Sequence, residues 1–212
     1  MAKTNAANER IKRDYFLYLR DAKRMSEKSI DQVAAAIASF EASTGGKDFR
    51  LFHIEQARSF KRRLIETPSD ETGKPLAHAT VYARLKIMKA FFQWLAGRSG
   101  FRRIAYDDAG YFNLAANETR IANAKRPKPT PSLEQIRHVL RTMPHGTDIQ
   151  KRNRALIAFA ILTGGRDDAI ASLSLKHIDF NARTAFFDAR HVRTKFRKTF
   201  TTWFFPDIAP AP

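Results

Sequence analysis

The sequence predicts a mostly α-helical chain of two domains, a helical bundle followed by an α+β domain with a small β-sheet. Three observations predict it. Apolar residues recur at helical spacing through residues 1–122. A stretch of prolines interleaved with basic residues, NAKRPKPTP at 123–131, cannot be helix interior and reads as an extended linker. Beyond it, in 132–212, helical patterns give way to two β-rich runs, Thr184–Phe187 and Thr199–Phe205.

In the first domain, RIKRDYFLYLRDAKR carries Ile11, Tyr15, Tyr18 and Leu19 on one stripe with basic residues around it. Ser26 is placed to cap the next helix, whose Ile30, Val33, Ile37 and Phe40 keep the period until Gly45-Gly46. HIEQARSFKRRLIE predicts a third helix, stopped near Pro68 by the polar turn PSDETGKP. A fourth, from Ala79 to Leu95, turns Val81, Leu85, Met88, Phe92 and Leu95 inward. Its opposite face carries His78, Tyr82, Lys86, Lys89 and Gln93.

In the second domain, Ser132 with Gln135 fits a capping box opening LEQIRHVLRTM. KRNRALIAFAILTGG predicts a largely buried helix, and Arg166 to Leu175 a short one. The two β-rich runs, joined by a basic connection, predict a hairpin. There is no internal repeat.

Composition narrows the function. Lys and Arg number 38 against 21 Asp and Glu, a net charge of +17, and such an excess implies a polyanionic partner. A membrane is not supported: the longest apolar run, Ala155 to Leu162, is far short of the ~20 residues a span needs. The N-terminus lacks the apolar region of a secretory signal. With no Cys there is no disulfide framework, thiolate nucleophile or Cys-based zinc site, and six scattered His show no metal spacing. A cytoplasmic nucleic-acid binder is the expectation, with duplex DNA as partner. A basic RNA-binding scaffold is the more distant one.

Candidate residues follow from that charge. The stripe of His78, Tyr82, Lys86 and Lys89 on the fourth helix suits phosphate contacts, with Tyr82 offering a base or sugar contact. The linker adds Lys125, Arg126 and Lys128, and the hairpin connection Arg193, Lys195, Arg197 and Lys198. Arg166 follows Thr163-Gly164-Gly165 at a helix start, where a cation is slightly unfavourable unless an anion is bound. Its bland alternative is a surface arginine after a glycine cap; that of Lys195 is a solvated turn. Asp167 and Asp168 read as first-turn carboxylates without a catalytic role. His177 reads as structural, and the His-x-x-Arg of His138 to Arg141 as an exposed helical face.

These residues together resemble the tyrosine site-specific recombinases of the phage-integrase class. SEKSIDQVAAAIASFEAS and HATVYARLKIMKAFFQWLAG look like the helical core-binding (SAM-like) region, including its Phe-Phe-x-Trp-Leu close. RNRALIAFAILTGGRDDAIASLSLKHIDF is similar to the catalytic-domain stretch bearing the first active-site arginine, which falls on Arg166. VRTKFRKTFTTWFFP resembles the hairpin with the active-site lysine, which falls on Lys195. The resemblance implies an incomplete α+β catalytic domain that acts on DNA without metal or cofactor, and homo-oligomer assembly on DNA. Two departures stand out. Where the family usually has a carboxylate three residues after the arginine, this chain has Ala169. The family's remaining boxes, ending in the tyrosine nucleophile, lie C-terminal to the hairpin, whereas tyrosines 15, 18, 82, 106 and 111 all precede the linker. The expectation is DNA binding without cleavage by these residues alone, either as part of a recombinase or as a non-enzymatic integrase remnant or regulator.

Overall fold

The structure is a computed structural model that describes residues 5–68, 73–125 and 127–204. The chain divides into two compact units, Met1–Arg126 and Pro127–Pro212. The architecture is mostly helical with one three-stranded antiparallel sheet, as the sequence predicts.

The first unit contains α1 (Ala6–Asp21), α2 (Glu27–Ser43), α3 (Ile54–Glu66), α4 (His78–Ala96) and α5 (Ala116–Asn123), with 3-10 turns at Phe49–Leu51 and Tyr106–Phe112. Helix starts are set by side chains that accept otherwise orphaned backbone N–H groups: Asn5 for Ala7 and Asn8, and Ser26 for Ser29. α4 is central and packs against α2, α3, α5 and the Tyr106–Phe112 turn. Phenylalanine dominates the core. Phe40, Phe60, Phe91, Phe92 and Phe112 are fully buried, Phe92 stacks on Phe52 at 3.9 Å, and its edge meets Phe40 at 5.2 Å. Each such ring contributes roughly 1.5–3 kcal/mol by burial.

Packing on several sides explains two differences from the sequence reading of α4. Phe91, one residue off the expected stripe, is as buried as Phe92. The face carrying Lys89 is partly covered by the chain around Phe112–Leu114, so Lys89 is half-buried and its Nζ donates to Asn113 Oδ1 at 3.0 Å. α1 is fastened by a buried polar residue with every side-chain atom satisfied in kind. Asn8 Nδ2 donates to Glu41 Oε1 and to the Lys47 carbonyl, and its Oδ1 accepts the Phe49 N–H at 3.0 Å.

The second unit contains α6 (Leu133–Thr142), α7 (Asp148–Thr163), α8 (Asp167–Ala171), β1 (Ile178–Asp179), β2 (Thr184–Phe187) and β3 (Phe200–Trp203). Ser132 and Gln135 form the expected capping box, and Thr147 with Gln150 opens α7 the same way. The strands lie in the order β1-β2-β3, with Ala185 opposite both Ile178 and Thr202. Ala169, Ala185, Phe187 and Val192 make a small core, against which Phe159 and Leu173 pack.

Two expectations are corrected here, and a third is only partly covered by the described residues. α7 is not largely buried: Thr163 is buried, but Leu156 and Ile157 are 43% and 39% exposed. Its apolar residues run round the helix, whereas a sheet of two- to four-residue strands covers one side. The helix expected from Arg166 to Leu175 is one turn, Asp167–Ala171. Ser172 ends it, its hydroxyl within bonding distance of the Asp168 and Ala169 carbonyls, a local bond that competes with helix continuation. The second β-run pairs over Phe200–Trp203, while Phe205 lies outside the described residues.

Candidate functional site

The turn between α7 and α8 places Arg166, and its two glycines do different work. Gly164 sits at φ +61°, a left-handed conformation costly for other residues, and its N–H closes α7 on the Ala160 carbonyl at 3.0 Å. Gly165 is needed for close approach: a Cβ there would lie 2.9 Å from Ile170 Cγ1 and 3.2 Å from Thr163 Oγ1. Thr163 braces the same turn. Its hydroxyl donates to the Phe159 carbonyl and accepts the Gly165 N–H, and its carbonyl accepts from Thr202 Oγ1 on β3 at 3.0 Å. Arg166 thus leaves a turn fixed to both the helix and the sheet, with its side chain exposed at the N-cap position of α8.

The connection from β2 to β3 builds the facing wall. Asp188 opens it, accepting from the Arg190 backbone N–H at 2.9 Å and from the Arg190 guanidinium through both carboxylate oxygens. Those bonds hold the Asp188 carboxyl down at about 2. The Asp188 carbonyl accepts the His191 and Val192 N–H groups, and Val192 is buried in the small core. At the far end, the Ala189 N–H donates to Thr199 Oγ1.

Arg166 and Lys195 line one cavity of about 460 Å³. Arg190, Arg193 and Arg197 join them, so five basic side chains face two carboxylates, Asp167 and Asp168. Arg193 is paired with Asp168 at 3.0 Å and Arg190 with Asp188 at 2.6 Å. Arg166, Lys195 and Arg197 have no carboxylate partner among the described residues, which leaves their charge available to an anion. α8 has five residues, too few for a full macrodipole. Attraction for an anion here therefore rests on the side-chain cations rather than on the helix start.

Phe196 and Arg197 follow Lys195 at φ +60° and +53°. For residues with a Cβ that conformation costs roughly 1–2 kcal/mol each, and strain of this kind clusters at functional sites. Lys195 Nζ lies 5.2 Å from the Phe196 ring centre. Thr194, also on the cavity wall, is buried with a hydroxyl that has no hydrogen-bond partner among the described residues.

A second cavity, of about 540 Å³, lies in the first unit. Tyr82, Lys86, Lys89 and Gln93 of α4 line it with Asn113 and Thr119 over a floor of Leu85, Phe112 and Leu114. His78, at the first residue of α4, is exposed and outside this lining. Lys125 and Lys128 are exposed, Arg126 lies outside the described residues, and Lys198 is exposed without lining the first cavity. His138 and Arg141 lie on an exposed face of α6. His177 Nδ1 accepts the Ser174 N–H at 3.2 Å, and its ring stacks on His191 at 6.3 Å.

Sequence reasoning missed Arg190, His191, Thr194 and the part played by Asp168. The basic run HVRTKFRK signalled the cations, but which carboxylate each meets depends on the fold. Among the described residues no group of three or more His, Cys, Asp or Glu is placed to hold a metal, and no helix is long and apolar enough to cross a membrane.

No family model matches the chain, and no solved structure does. It is similar to a protein described as tyrosine recombinase XerC in two strains of Lactobacillus delbrueckii subsp. bulgaricus. Identity is 24% over 176 residues, covering 80% of this chain and 53% of each relative. The chain therefore spans about half the length of the curated relatives it matches, and the similarity to a tyrosine recombinase is a distant one.

Proposed function

We propose that this chain is the DNA-binding part of a tyrosine site-specific recombinase or integrase, and that its two basic cavities receive backbone phosphates of duplex DNA. On this reading residues 1–122 are the core-binding domain, 123–131 a linker, and 132–212 the first part of the catalytic domain, with assembly into oligomers on DNA in the cytoplasm. One observation carries it. Arg166 and Lys195, far apart in sequence and singled out by family resemblance, line the same cationic cavity.

The chemistry of such a site suits these side chains. In phosphodiester exchange a tyrosine attacks phosphorus and the 5′-oxygen leaves, which conserves the bond energy in a phosphotyrosyl link. An arginine aimed at the phosphoryl oxygens stabilises the charge that develops there. A lysine beside the leaving oxygen supplies its proton. Arg166 and Lys195 take those two roles. All five tyrosines belong to the first unit, so the unit that carries this cavity supplies no tyrosine of its own. Burial pushes the Tyr15 hydroxyl up to about 12, which suits it to the core and not to attack.

A second reading, a DNA-binding regulator that occupies sites without cutting, is favoured by Ala169. This residue, where the family usually has a carboxylate, is buried in the small core. Both readings require duplex binding.

The test is binding of the 212-residue chain to a short duplex across a salt series. Affinity should fall by ~10³-fold or more between 50 and 200 mM salt if about six phosphates are contacted. Arg166→Ala should reduce the slope by about one unit. Preference for RNA over duplex DNA would remove the recombinase reading, and an unchanged slope would remove Arg166 from the interface.

A further inference from the structure

The Lys195 loop is tied to the Arg166 side of the cavity by two contacts that neither the sequence nor the family resemblance assigns. Arg193 Nε donates to Asp168 Oδ1 at 3.0 Å. The Arg193 backbone N–H donates to Ser172 Oγ at 2.8 Å. Asp168 lies in the first turn of α8, just after Arg166, Ser172 caps its end, and Ser172 Oγ bonds back to the Asp168 carbonyl at 2.9 Å. The two contacts therefore share one anchor. Arg193 lies two residues before Lys195, and the chain between them contains Thr194, whose N–H bonds to the Val192 carbonyl.

We infer that Asp168 and Ser172 are positioning residues that clamp the loop bearing Lys195 to the turn bearing Arg166. The inference rests on the phosphate-binding reading for its purpose, though not for its existence. Three observations carry it. Asp168 and Arg193, the charged half of the clamp, line the same cavity as Arg166 and Lys195. Without the clamp, the loop's attachments are its two ends and the buried Val192 and Thr194, while residues 195–200 are exposed and include two left-handed residues. And of the two exposed carboxylates on this turn, Asp167 and Asp168, it is Asp168 that bonds the loop, through Arg193.

A carboxylate in a cation-rich cavity would otherwise oppose anion binding. Paired with Arg193, it gives up part of the cavity's positive charge in exchange for a fixed loop. That trade is useful only if the placement of Lys195 matters more than the total charge. Placement governs proton delivery to one oxygen, whereas total charge governs general attraction for DNA.

Amide hydrogen exchange in the full chain tests the clamp directly. Asp168→Asn should speed exchange at Arg193 and through residues 194–198 about two- to fivefold, the range of an exposed ion pair. Ser172→Ala should speed Arg193 exchange by about three- to tenfold through loss of its acceptor. Exchange in β2 and β3 should stay within error in both. Asp168→Glu should restore part of the protection, and the charge-swapped pair Asp168→Arg with Arg193→Asp should restore most of it. No change at Arg193, or faster exchange spread equally over the sheet, would overturn the clamp, and so would failure of both rescues.

A double-mutant cycle then tests its purpose. Lys195→Ala should weaken binding of a short duplex more in the parent chain than in Asp168→Asn, because an unclamped lysine has less to lose. Equal losses in the two backgrounds would contradict positioning. If Lys195→Ala weakens neither, it is the phosphate reading that fails, and the exchange result stands by itself.

Discussion

Gly165 has no side chain, yet it decides where Arg166 goes. A Cβ at this position would lie 2.9 Å from Cγ1 of the buried Ile170 on α8. Gly165→Ala should destabilise the chain by about 1–3 kcal/mol, the usual cost of overpacking, and weaken duplex binding at the same time. Denaturant unfolding alongside binding checks both, and a loss in neither would show that the turn yields freely. Asp188 makes a different prediction. Its carboxyl is held at about 2, below the usual 3.8, by the hydrogen bonds from Arg190. A carboxylate depressed on folding adds stability that is complete above the unfolded value and is lost as pH falls through the folded one. The chain should therefore lose stability between about pH 4 and pH 2, and Asp188→Asn should flatten that part of the profile. An identical acid profile in the variant would contradict it. Arg166 and Lys195 were singled out in the sequence by the family resemblance, and the fold sets both on one cavity. The orphaned Thr194 hydroxyl and the Asp168–Arg193 pair were not, since each is defined by a partner, or the lack of one, that only folding brings near.

Helix starts announce themselves locally: Ser26, Ser132 with Gln135, and Thr147 with Gln150 all cap where the chain turns helical. What a helix packs against does not announce itself. The apolar sequence of α7 reads the same whether or not a partner covers it, and Leu156 and Ile157 are exposed because the small sheet covers one side. The two-residue β1 and the 3-10 turn Tyr106–Phe112 are too short to show a period, although the latter supplies Phe112 to the core. α4 shows the functional side of this. Its basic stripe was legible, but Lys86 is exposed while Lys89 is half-buried and bonded to Asn113. Replacing both with Ala should lower the salt slope of duplex binding by about two units if each meets a phosphate. Lys86→Ala alone should account for at least half of that change. A slope that does not move would place the first unit's DNA face away from α4.

At the scale of the whole chain, the boundary between units at Arg126 and Pro127 falls within the stretch read as a linker. Trypsin should cut first after Lys125, because Arg126 and Lys128 each precede proline and resist it, and two protected pieces should result. A single resistant product with that bond intact would contradict a two-domain chain. Each unit carries a basic cavity, and on the proposed reading each receives backbone phosphates of duplex DNA. The central claim is that both meet DNA. Lysine-selective acetylation of the full chain, read residue by residue by mass spectrometry with and without a short duplex, tests it most directly. Lys195 and Lys86 should be strongly protected by DNA. Lys28, exposed on α2 outside both cavities, should react at the same rate in either condition. Lys195 and Lys86 reacting equally fast with and without saturating duplex would contradict the account.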